Sequence, residues 1–200
     1  DRHMHSLLHL LRYLRDNSDV GIRFYSDVSQ SPLQQLIVAS GLSLKLTDHP
    51  LITFSDSSWN DDLDNGRSTG GFLVFYQGGV VDHSSNLPDP VSLSSAEAEY
   101  NEACLACMAT AHLRMLLEEF LGREIKSVPI LLDNRSAIDM GVSYKDTKHT
   151  RHILRRYHYV REGESSGLHK LFWLATNFQL ADVCTKPLTQ GAKSTRLVML

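Results

Sequence analysis

The chain has 200 residues, of which 42% are hydrophobic and 22% charged, and its net charge is −3. These values exclude a disordered chain and a uniformly basic nucleic-acid-binding protein. No segment reaches the roughly 18 apolar residues of a membrane span. Three cysteines do not form a disulfide framework, so we expect an intracellular protein in a reducing environment.

The first 50 residues carry few strong signals. Leucines with helical spacing predict a helix over residues 4–14, and residues 21–25 are typical of a short strand. Residues 26–48 are rich in Ser and Gln and have no clear assignment. Residues 48–50 (Asp-His-Pro) form a turn signal, which makes them a candidate domain boundary.

From residue 51 onward, the pattern predicts strands that alternate with helices. We expect strands at 51–56, 71–76, from 80 onward, 128–133 and 168–174. We expect helices at about 94–121, 134–140, 149–161 and 178–184, a hairpin turn at Gly78-Gly79 and a helix end at Gly122. A hairpin followed by strands joined through helices predicts an α/β fold, with a mixed sheet and helices packed on it.

Apolar side chains give three further expectations. On the long helix, a broad apolar stripe over residues 105–120 is expected to face the core. Cys104 and Cys107 have metal-ligand spacing, but they lack a second cysteine pair, so we expect them to be buried packing residues. Trp59 and Trp173 are also expected in the core.

Charge is distributed unevenly along the chain. Residues 145–170 hold seven of the 20 Lys and Arg residues and four of the ten His residues, whereas residues 56–64 hold four aspartates and no basic residue. This separation is typical of a metal-using enzyme that acts on a polyanion, although two solvated faces would give the same pattern.

Four carboxylates lie near strand ends or on helices: Asp56, Glu99, Asp133 and Asp182. If the first and fourth strands are neighbours, Asp56 and Asp133 lie side by side, and clustered carboxylates need cations to offset their repulsion. Mg²⁺ suits such a site because it prefers oxygen ligands. Aspartates at strand ends are common, so a structural role for each of them is the alternative.

Other acidic residues compete for the same role. Ser94 and Glu97 have the spacing of a capping box, which gives Glu97 a structural task and leaves Glu99 for the metal. The aspartates at 61, 62 and 64 are expected to be solvated in a loop.

Seven motifs follow one another along residues 51–188. They are Phe54-Ser-Asp-Ser-Ser-Trp59, Arg67-Ser-Thr-Gly-Gly-Phe72, Leu93-Ser-Ser-Ala-Glu-Ala-Glu-Tyr100, Leu132-Asp-Asn-Arg-Ser-Ala137, Thr147-Lys-His-Thr-Arg-His152, Tyr157-His-Tyr-Val-Arg-Glu162 and Gln179-Leu-Ala-Asp-Val-Cys-Thr-Lys-Pro-Leu188. In this order and spacing, the chain resembles the ribonuclease H domain at the end of the Pol polyprotein of copia-type retrotransposons. Residues 3–25 resemble the stretch that joins the reverse transcriptase to that domain.

The resemblance implies a domain organisation and a fold. It implies a tail of the reverse transcriptase or connection region at 1–48, a ribonuclease H-like domain at 49–190 and a C-terminal tail at 191–200. The expected fold is a ribonuclease H-like mixed five-stranded sheet, an antiparallel hairpin plus parallel strands, flanked by helices.

The resemblance also implies an activity, the endonucleolytic hydrolysis of the RNA strand of RNA–DNA hybrids during reverse transcription. Two Mg²⁺ or Mn²⁺ ions would be held by Asp56, Glu99, Asp133 and Asp182, and a water activated by them would attack the RNA phosphorus in line. The expected partners are the hybrid and the reverse transcriptase domain of the same polyprotein, with no membrane. The expected location is a cytoplasmic virus-like particle if the element is active.

Polar and basic residues near these motifs are candidate contacts with the hybrid: Arg67, Ser68, Thr69, Asn134, Arg135, Lys148 and Arg155. For the basic segment 145–161, a solvated helix face is the alternative. A catalytically inactive or host-adopted nucleic-acid-binding module with the same fold is the alternative function, and an integrase-like nuclease is a second.

Overall fold

A computed structural model of the protein describes residues 2–59, 67–87, 92–142 and 154–186. Within these ranges, the helices are α1 (Arg2–Asp16), α2 (Pro32–Ala39), α3 (Ser95–Leu121), α4 (Arg135–Val142), α5 (Leu154–Ser165) and α6 (Asp182–Thr185). The strands are β1 (Leu51–Ser58), β2 (Thr69–Tyr76), β3 (Gly79–Asn86), β4 (Val128–Leu132) and β5 (His169–Trp173). The predictions for the aspartates at 61, 62 and 64, for residues 149–153 and for the tail at 191–200 lie outside the described residues.

The described strands form one mixed sheet in the order β3-β2-β1-β4-β5. β2 is antiparallel to β1 and β3, whereas β4 is parallel to β1 and β5. The predicted fold class is therefore confirmed, as is the predicted order of strands and helices from residue 51. The parallel pairing of β1 with β4 brings the carboxyl ends of both strands to the same edge of the sheet.

The hairpin between β2 and β3 turns one residue earlier than the sequence predicted. Gln77 and Gly78 both have left-handed backbone angles, with φ of 50° and 78°. Two central residues of this kind are typical of a type I′ turn, whose twist matches that of the flanking strands. Gly79 is then the first residue of β3.

Helix α3 begins and ends with the signals that its sequence contains. Ser94 is the N-cap, because its Oγ accepts a hydrogen bond from the Glu97 N–H at 3.2 Å. The Glu97 carboxylate accepts a bond from the Leu93 N–H at 3.0 Å, one residue before the partner that a capping box would use. Gly122 ends the helix with a φ of 62°.

The buried face of α3 differs from the predicted stripe. Every buried residue of α3 lies between residues 97 and 110, whereas Met108, Leu116 and Phe120 are exposed. Four residues of the predicted stripe are half-buried and pack against a core cluster that includes residues of β1, β2 and β4: Leu105, Ala109, Leu113 and Leu117. The stripe is therefore confirmed in part. Cys104 and Cys107 are buried in an apolar cluster with β4 and β5, which confirms the prediction made for them.

Residues before β1 contribute to the core, although their sequence gave no clear assignment. Ser31 caps α2, and Pro32 starts it. The apolar residues of this segment pack against β1 and β2 in one cluster: Val28, Leu33, Leu36, Ile37, Leu44, Leu46, Ile52, Phe54, Leu73 and Phe75. The domain boundary predicted at residue 48 stays a prediction, but residues 28–46 share a core with the sheet.

The N-terminal segment gives one confirmed and one wrong prediction. The predicted helix is present as α1, and its leucines are exposed. Residues 21–25 are not a strand, although the Tyr25 N–H donates a hydrogen bond to the Gln77 carbonyl at 3.0 Å. Among the described residues, no helix combines the length and the apolar character needed to cross a membrane.

We expect Ile37→Ala to destabilise the protein by about 2–5 kcal/mol, because Ile37 is fully buried between α2 and the sheet. Its neighbour Val38 is 65% exposed, so Val38→Ala should change stability by less than about 0.5 kcal/mol. Urea denaturation of both variants measures the difference. Equal, small effects would contradict the packing of α2 on the sheet.

Candidate metal centre

Asp56 and Asp133 lie beside each other at the carboxyl edge of the parallel strand pair. Thr53 pairs with Ile130 and Phe54 with Leu131, so the same register continued by two residues places Asp56 opposite Asp133. Asp56 has no exposed surface, and Asp133 is half-buried. The sheet therefore presents two carboxylates at one edge.

Glu99 reaches the same edge from the first turns of α3. Its Oε1 accepts a hydrogen bond from the Ser57 N–H at 3.2 Å, which ties the helix to the end of β1. Asp56, Glu99 and Asp133 each offer a carboxylate oxygen, and these oxygens lie within 4.8 Å of one another. Glu97 instead holds the N-terminus of α3, so the geometry favours Glu99 over Glu97 as a metal ligand.

Burial in this group raises the pKa values of two of its members, Glu99 and Asp56. Burial, followed by the charges of Asp56 and Asp133, raises the pKa of Glu99 to about 9. Burial also raises the pKa of Asp56, although a hydrogen bond from Thr185 and the charge of Lys186 act in the opposite direction. Without a cation, the cluster is therefore unfavourable in its fully ionised form.

A hard divalent cation fits this donor set. The second oxygen of Glu99, Oε2, is buried and has no hydrogen-bond partner among the described residues. A buried carboxylate oxygen without a partner is costly, and a cation coordinated by oxygen would satisfy it. The three carboxylates can thus hold a metal ion that prefers oxygen ligands.

Asp182, the fourth predicted ligand, lies outside the group of three oxygens. It is the first residue of α6 and is 5% exposed. The Lys186 ammonium lies 2.8 Å from Asp182 Oδ1 and 3.2 Å from Asp56 Oδ2. The Thr185 hydroxyl donates a hydrogen bond to Asp56 Oδ2. Asp182 is therefore joined to Asp56 through a lysine.

Close packing holds α6 against the end of β1. A Cβ atom on Gly71, the residue paired with Asp56, would overlap the Cβ of Cys184, so only glycine lets α6 approach β2 this closely. Gln179 Nε2 donates to the Ser55 carbonyl at 2.9 Å, and its Oε1 accepts from the Ala181 N–H at 3.2 Å. The Gln179 amide thus links β1 to the residues that begin α6.

The two tryptophans were wrongly predicted to lie in the core. Trp173 is 40% exposed, and its indole N–H donates to the Asp133 carbonyl at 2.9 Å. The guanidinium carbon of Arg135 lies 4.2 Å from the centre of the same ring, as in a cation–π contact. Trp59 is 52% exposed at the end of β1. Trp173 is amphipathic and uses its N–H at the site, which a hydropathy pattern does not show.

The predicted nucleic-acid contacts have different environments. Arg135 is exposed, Arg67 and Thr69 are half-buried, and Ser68 is buried. Asn134 caps α4, because its Oδ1 accepts from the Ala137 N–H at 3.2 Å. Lys148 and the side chain of Arg155 lie outside the described part of the chain. These assignments stay predictions.

Two further charged residues at the site were missed by sequence reasoning. Lys186 follows Asp182 by four residues, which is the spacing of ion pairs on one helix face, so that signal was available. Glu102 is fully buried one turn after Glu99, and neither of its carboxylate oxygens has a hydrogen-bond partner among the described residues. Burial raises the pKa of Glu102 to about 7. No spacing rule separates it from an ordinary solvated glutamate.

Comparisons with known proteins link the chain to transposon polyproteins. No family model matches it. It is 34% identical over 140 residues, 70% of its length, to the Retrovirus-related Pol polyprotein from transposon TNT 1-94 of Nicotiana tabacum. It is 30% identical over 193 residues, 96% of its length, to that from transposon RE2 of Arabidopsis thaliana. The chain spans only 10% and 12% of the length of these two relatives.

A solved structure gives independent support for the fold. LC11-RNase H1, isolated from compost by a metagenomic approach, superposes with a TM-score of 0.52 and 13% identity, over 69% of this chain and 93% of that one. At this identity, the likeness concerns the arrangement of strands and helices alone.

We expect the metal-free protein to lose stability as pH rises, and Glu99→Gln to remove part of that loss. The pKa of Glu99 is raised from 4.5 to about 9, so the unfolded chain ionises first. Protonated Glu99 contributes its full stabilisation below pH 4.5, where the folded and the unfolded chain are both protonated at this residue. This stabilisation is lost progressively as the pH rises to about 9, the pKa of Glu99 in the folded protein. Melting temperatures in EDTA from pH 5 to 9 measure this. The exposed Glu119→Gln on the same helix is the control; pH curves of wild type and Glu99→Gln that run parallel would contradict the expectation.

Proposed function

We propose that this chain, a homologue of a segment of plant retrotransposon Pol polyproteins with a ribonuclease H-like fold, hydrolyses the RNA strand of RNA–DNA hybrids. The observation that carries the proposal is the group of three carboxylates at the carboxyl edge of β1 and β4. Buried acidic groups at the end of parallel strands are costly for folding, so their presence at one point indicates a chemical task.

The proposed cofactor is a pair of Mg²⁺ or Mn²⁺ ions. Asp56, Glu99 and Asp133 would hold one ion, and Asp182 would complete the second position together with Asp56. When bound, such ions lower the pKa of a water and offset the charge on the phosphate. The Lys186 ammonium lies between Asp56 and Asp182, so an ion can occupy this second position only if the lysine side chain moves away.

The protein's own residues keep the carboxylates in place. Ser57 holds Glu99 through its backbone N–H, and Thr185 holds Asp56 through its hydroxyl. The Trp173 indole holds the main chain at Asp133. The carboxylates of Asp56 and Glu99, and the main chain of Asp133, are thus each held by a group that is not itself a proposed ligand. Such contacts would keep the site in position before the substrate binds.

The proposed substrate is bound through its backbone. Arg135 presents a guanidinium over the Trp173 ring, close to Asp133, where it would contact a phosphate of the hybrid. Arg67, Ser68 and Thr69 lie at the start of β2, beside the carboxyl end of β1. An A-like hybrid does not offer its base edges readily, so we propose recognition by shape and 2′-hydroxyl groups. The proposed partner is the reverse transcriptase domain of the same polyprotein.

We expect the protein to cut the RNA strand of a labelled hybrid in the presence of Mg²⁺, and Asp133→Asn to abolish this cutting because it removes one of the three clustered carboxylates. The exposed Asp139→Asn on α4 is the matched control and should cut normally. Circular dichroism confirms that each variant is folded, and DNA duplex, RNA duplex and EDTA run in parallel.

Several outcomes of this assay would contradict the proposal. An Asp133→Asn variant that cuts at the wild-type rate would show that the group of three carboxylates is not required for hydrolysis. A folded wild type that binds hybrid without cutting it would favour the inactive binding module, and cutting of DNA duplex would favour an integrase-like nuclease.

Arg135→Ala should weaken binding of the hybrid to the catalytically blocked Asp133→Asn protein and lower the slope of log affinity against log salt by about 1, because one phosphate contact is lost. Arg123→Ala is the control and should leave the slope unchanged, because Arg123 follows the C-terminal end of α3, whereas Glu99 lies near the N-terminal end of that helix. Fluorescence anisotropy at several KCl concentrations measures both. An unchanged slope for Arg135→Ala would mean that its guanidinium only packs on Trp173.

A further inference from the structure

Lys186 links Asp182 to Asp56, which is also a member of the group of three carboxylates. Asp56, Glu99 and Asp133 offer oxygens within 4.8 Å of one another, and Asp182 does not join them. Instead, the Lys186 ammonium lies 2.8 Å from Asp182 Oδ1, and 3.2 Å and 3.4 Å from the two oxygens of Asp56. A positive charge therefore already lies between Asp56 and Asp182.

The two carboxylates and the lysine differ sharply in exposure. The side chains of Asp56 and Asp182 are 1% and 7% exposed, whereas that of Lys186 is 40% exposed. The carboxylates are fixed by packing, and Asp56 is also held by the Thr185 hydroxyl. Lysine has a long, flexible side chain that can place its ammonium in solvent. Lys186 is thus the partner that can leave.

The electrostatics of the pair favour a charged lysine. Burial acts to lower the pKa of Lys186, but its contacts with Asp182 and Asp56 outweigh burial and raise that pKa above its usual value. The ammonium stays ionised at neutral pH and offsets the repulsion between the two aspartates. A divalent cation held by the same two carboxylates would repel it.

We propose that Lys186 is an internal counter-ion at the position between Asp56 and Asp182, and that a divalent cation binds this pair only when the lysine side chain swings out. The inference rests on the proposed function, because it concerns the second of the two proposed ions. In the group of three, Asp56 contacts Lys186, whereas no ion pair joins Glu99 or Asp133 to a lysine among the described residues. The protein should therefore bind one cation more tightly than the other.

Lys186→Met tests the proposal, because it keeps the length of the side chain and removes the charge. In EDTA, the variant should melt at a lower temperature than wild type, since the two aspartates lose their counter-ion. In a Mn²⁺ titration followed by calorimetry, its weaker binding event should become at least about tenfold tighter, because a unit charge within 4 Å has been removed. Mn²⁺ should therefore raise its melting temperature more than that of wild type.

Two further variants serve as controls. The exposed Lys126→Met, after the end of α3, removes a charge away from the bridged pair and should leave both binding events unchanged. Lys186→Arg keeps the charge and should keep the weaker event weak. If Lys186→Met does not fold in EDTA, Lys186→Gln replaces it, since the amide can still donate a hydrogen bond to Asp182; a variant that folds only with Mn²⁺ would also support the proposal.

The outcomes separate this inference from the proposed function. Mn²⁺ affinities that are equal in wild type and Lys186→Met, or lower in the variant, would overturn the counter-ion role and make Lys186 a supporting residue. Failure of both proteins to bind Mn²⁺ would overturn the inference together with the metal site. If Lys186→Met binds Mn²⁺ more tightly but the folded wild type cuts no hybrid, the inference holds and the proposed activity fails.

Discussion

Repulsion between buried carboxylates is the constraint on which the rest of this structure depends. Asp56 and Glu99 are almost completely removed from water, and Asp133 lies beside them within a few ångströms. Burial raises the pKa of both Asp56 and Glu99. A chain that folds around such a group must supply positive charge, protons or hydrogen-bond donors at this point, and the surrounding residues do so in different ways.

The fold brings the carboxylates together through strand pairing and close packing. β1 and β4 are parallel neighbours, so residues far apart in the chain end at one edge. Gly71 lets α6 approach the sheet beside Asp56, and the Ser57 N–H anchors the start of α3 through Glu99. A side chain at Gly71 would press against Cys184 and Thr185, and Thr185 is the residue that donates a hydrogen bond to Asp56.

The sequence predicted those features of the fold that depend on neighbouring residues in the chain. The apolar runs of β1 and β4, the Ser94 cap and the order of strands and helices were all visible in the sequence. The four carboxylates were predicted as ligands from their positions and from the resemblance, and the structure groups three of them. Packing between distant segments was not visible. Ile37 is buried because β1 and β2 need a cover on the face opposite α3, and the exposure of Trp173 follows from the position of Asp133. Neither depends on neighbours in sequence.

A titratable glutamate and a lysine affect the charge of the site, beside any cation that binds there. α3 carries three buried glutamates, Glu97, Glu99 and Glu102, and only Glu99 joins the group of carboxylates. The pKa of Glu102 is raised to about 7, chiefly by burial. Its neutral form adds no negative charge beside Asp56, whereas its ionised form does. Protonation of Glu102, the Lys186 ammonium and the proposed divalent cation would thus offset the same excess of negative charge. A change in one of them alters the free energy that the other two must supply, so cation affinity, pH and the position of the lysine are thermodynamically linked.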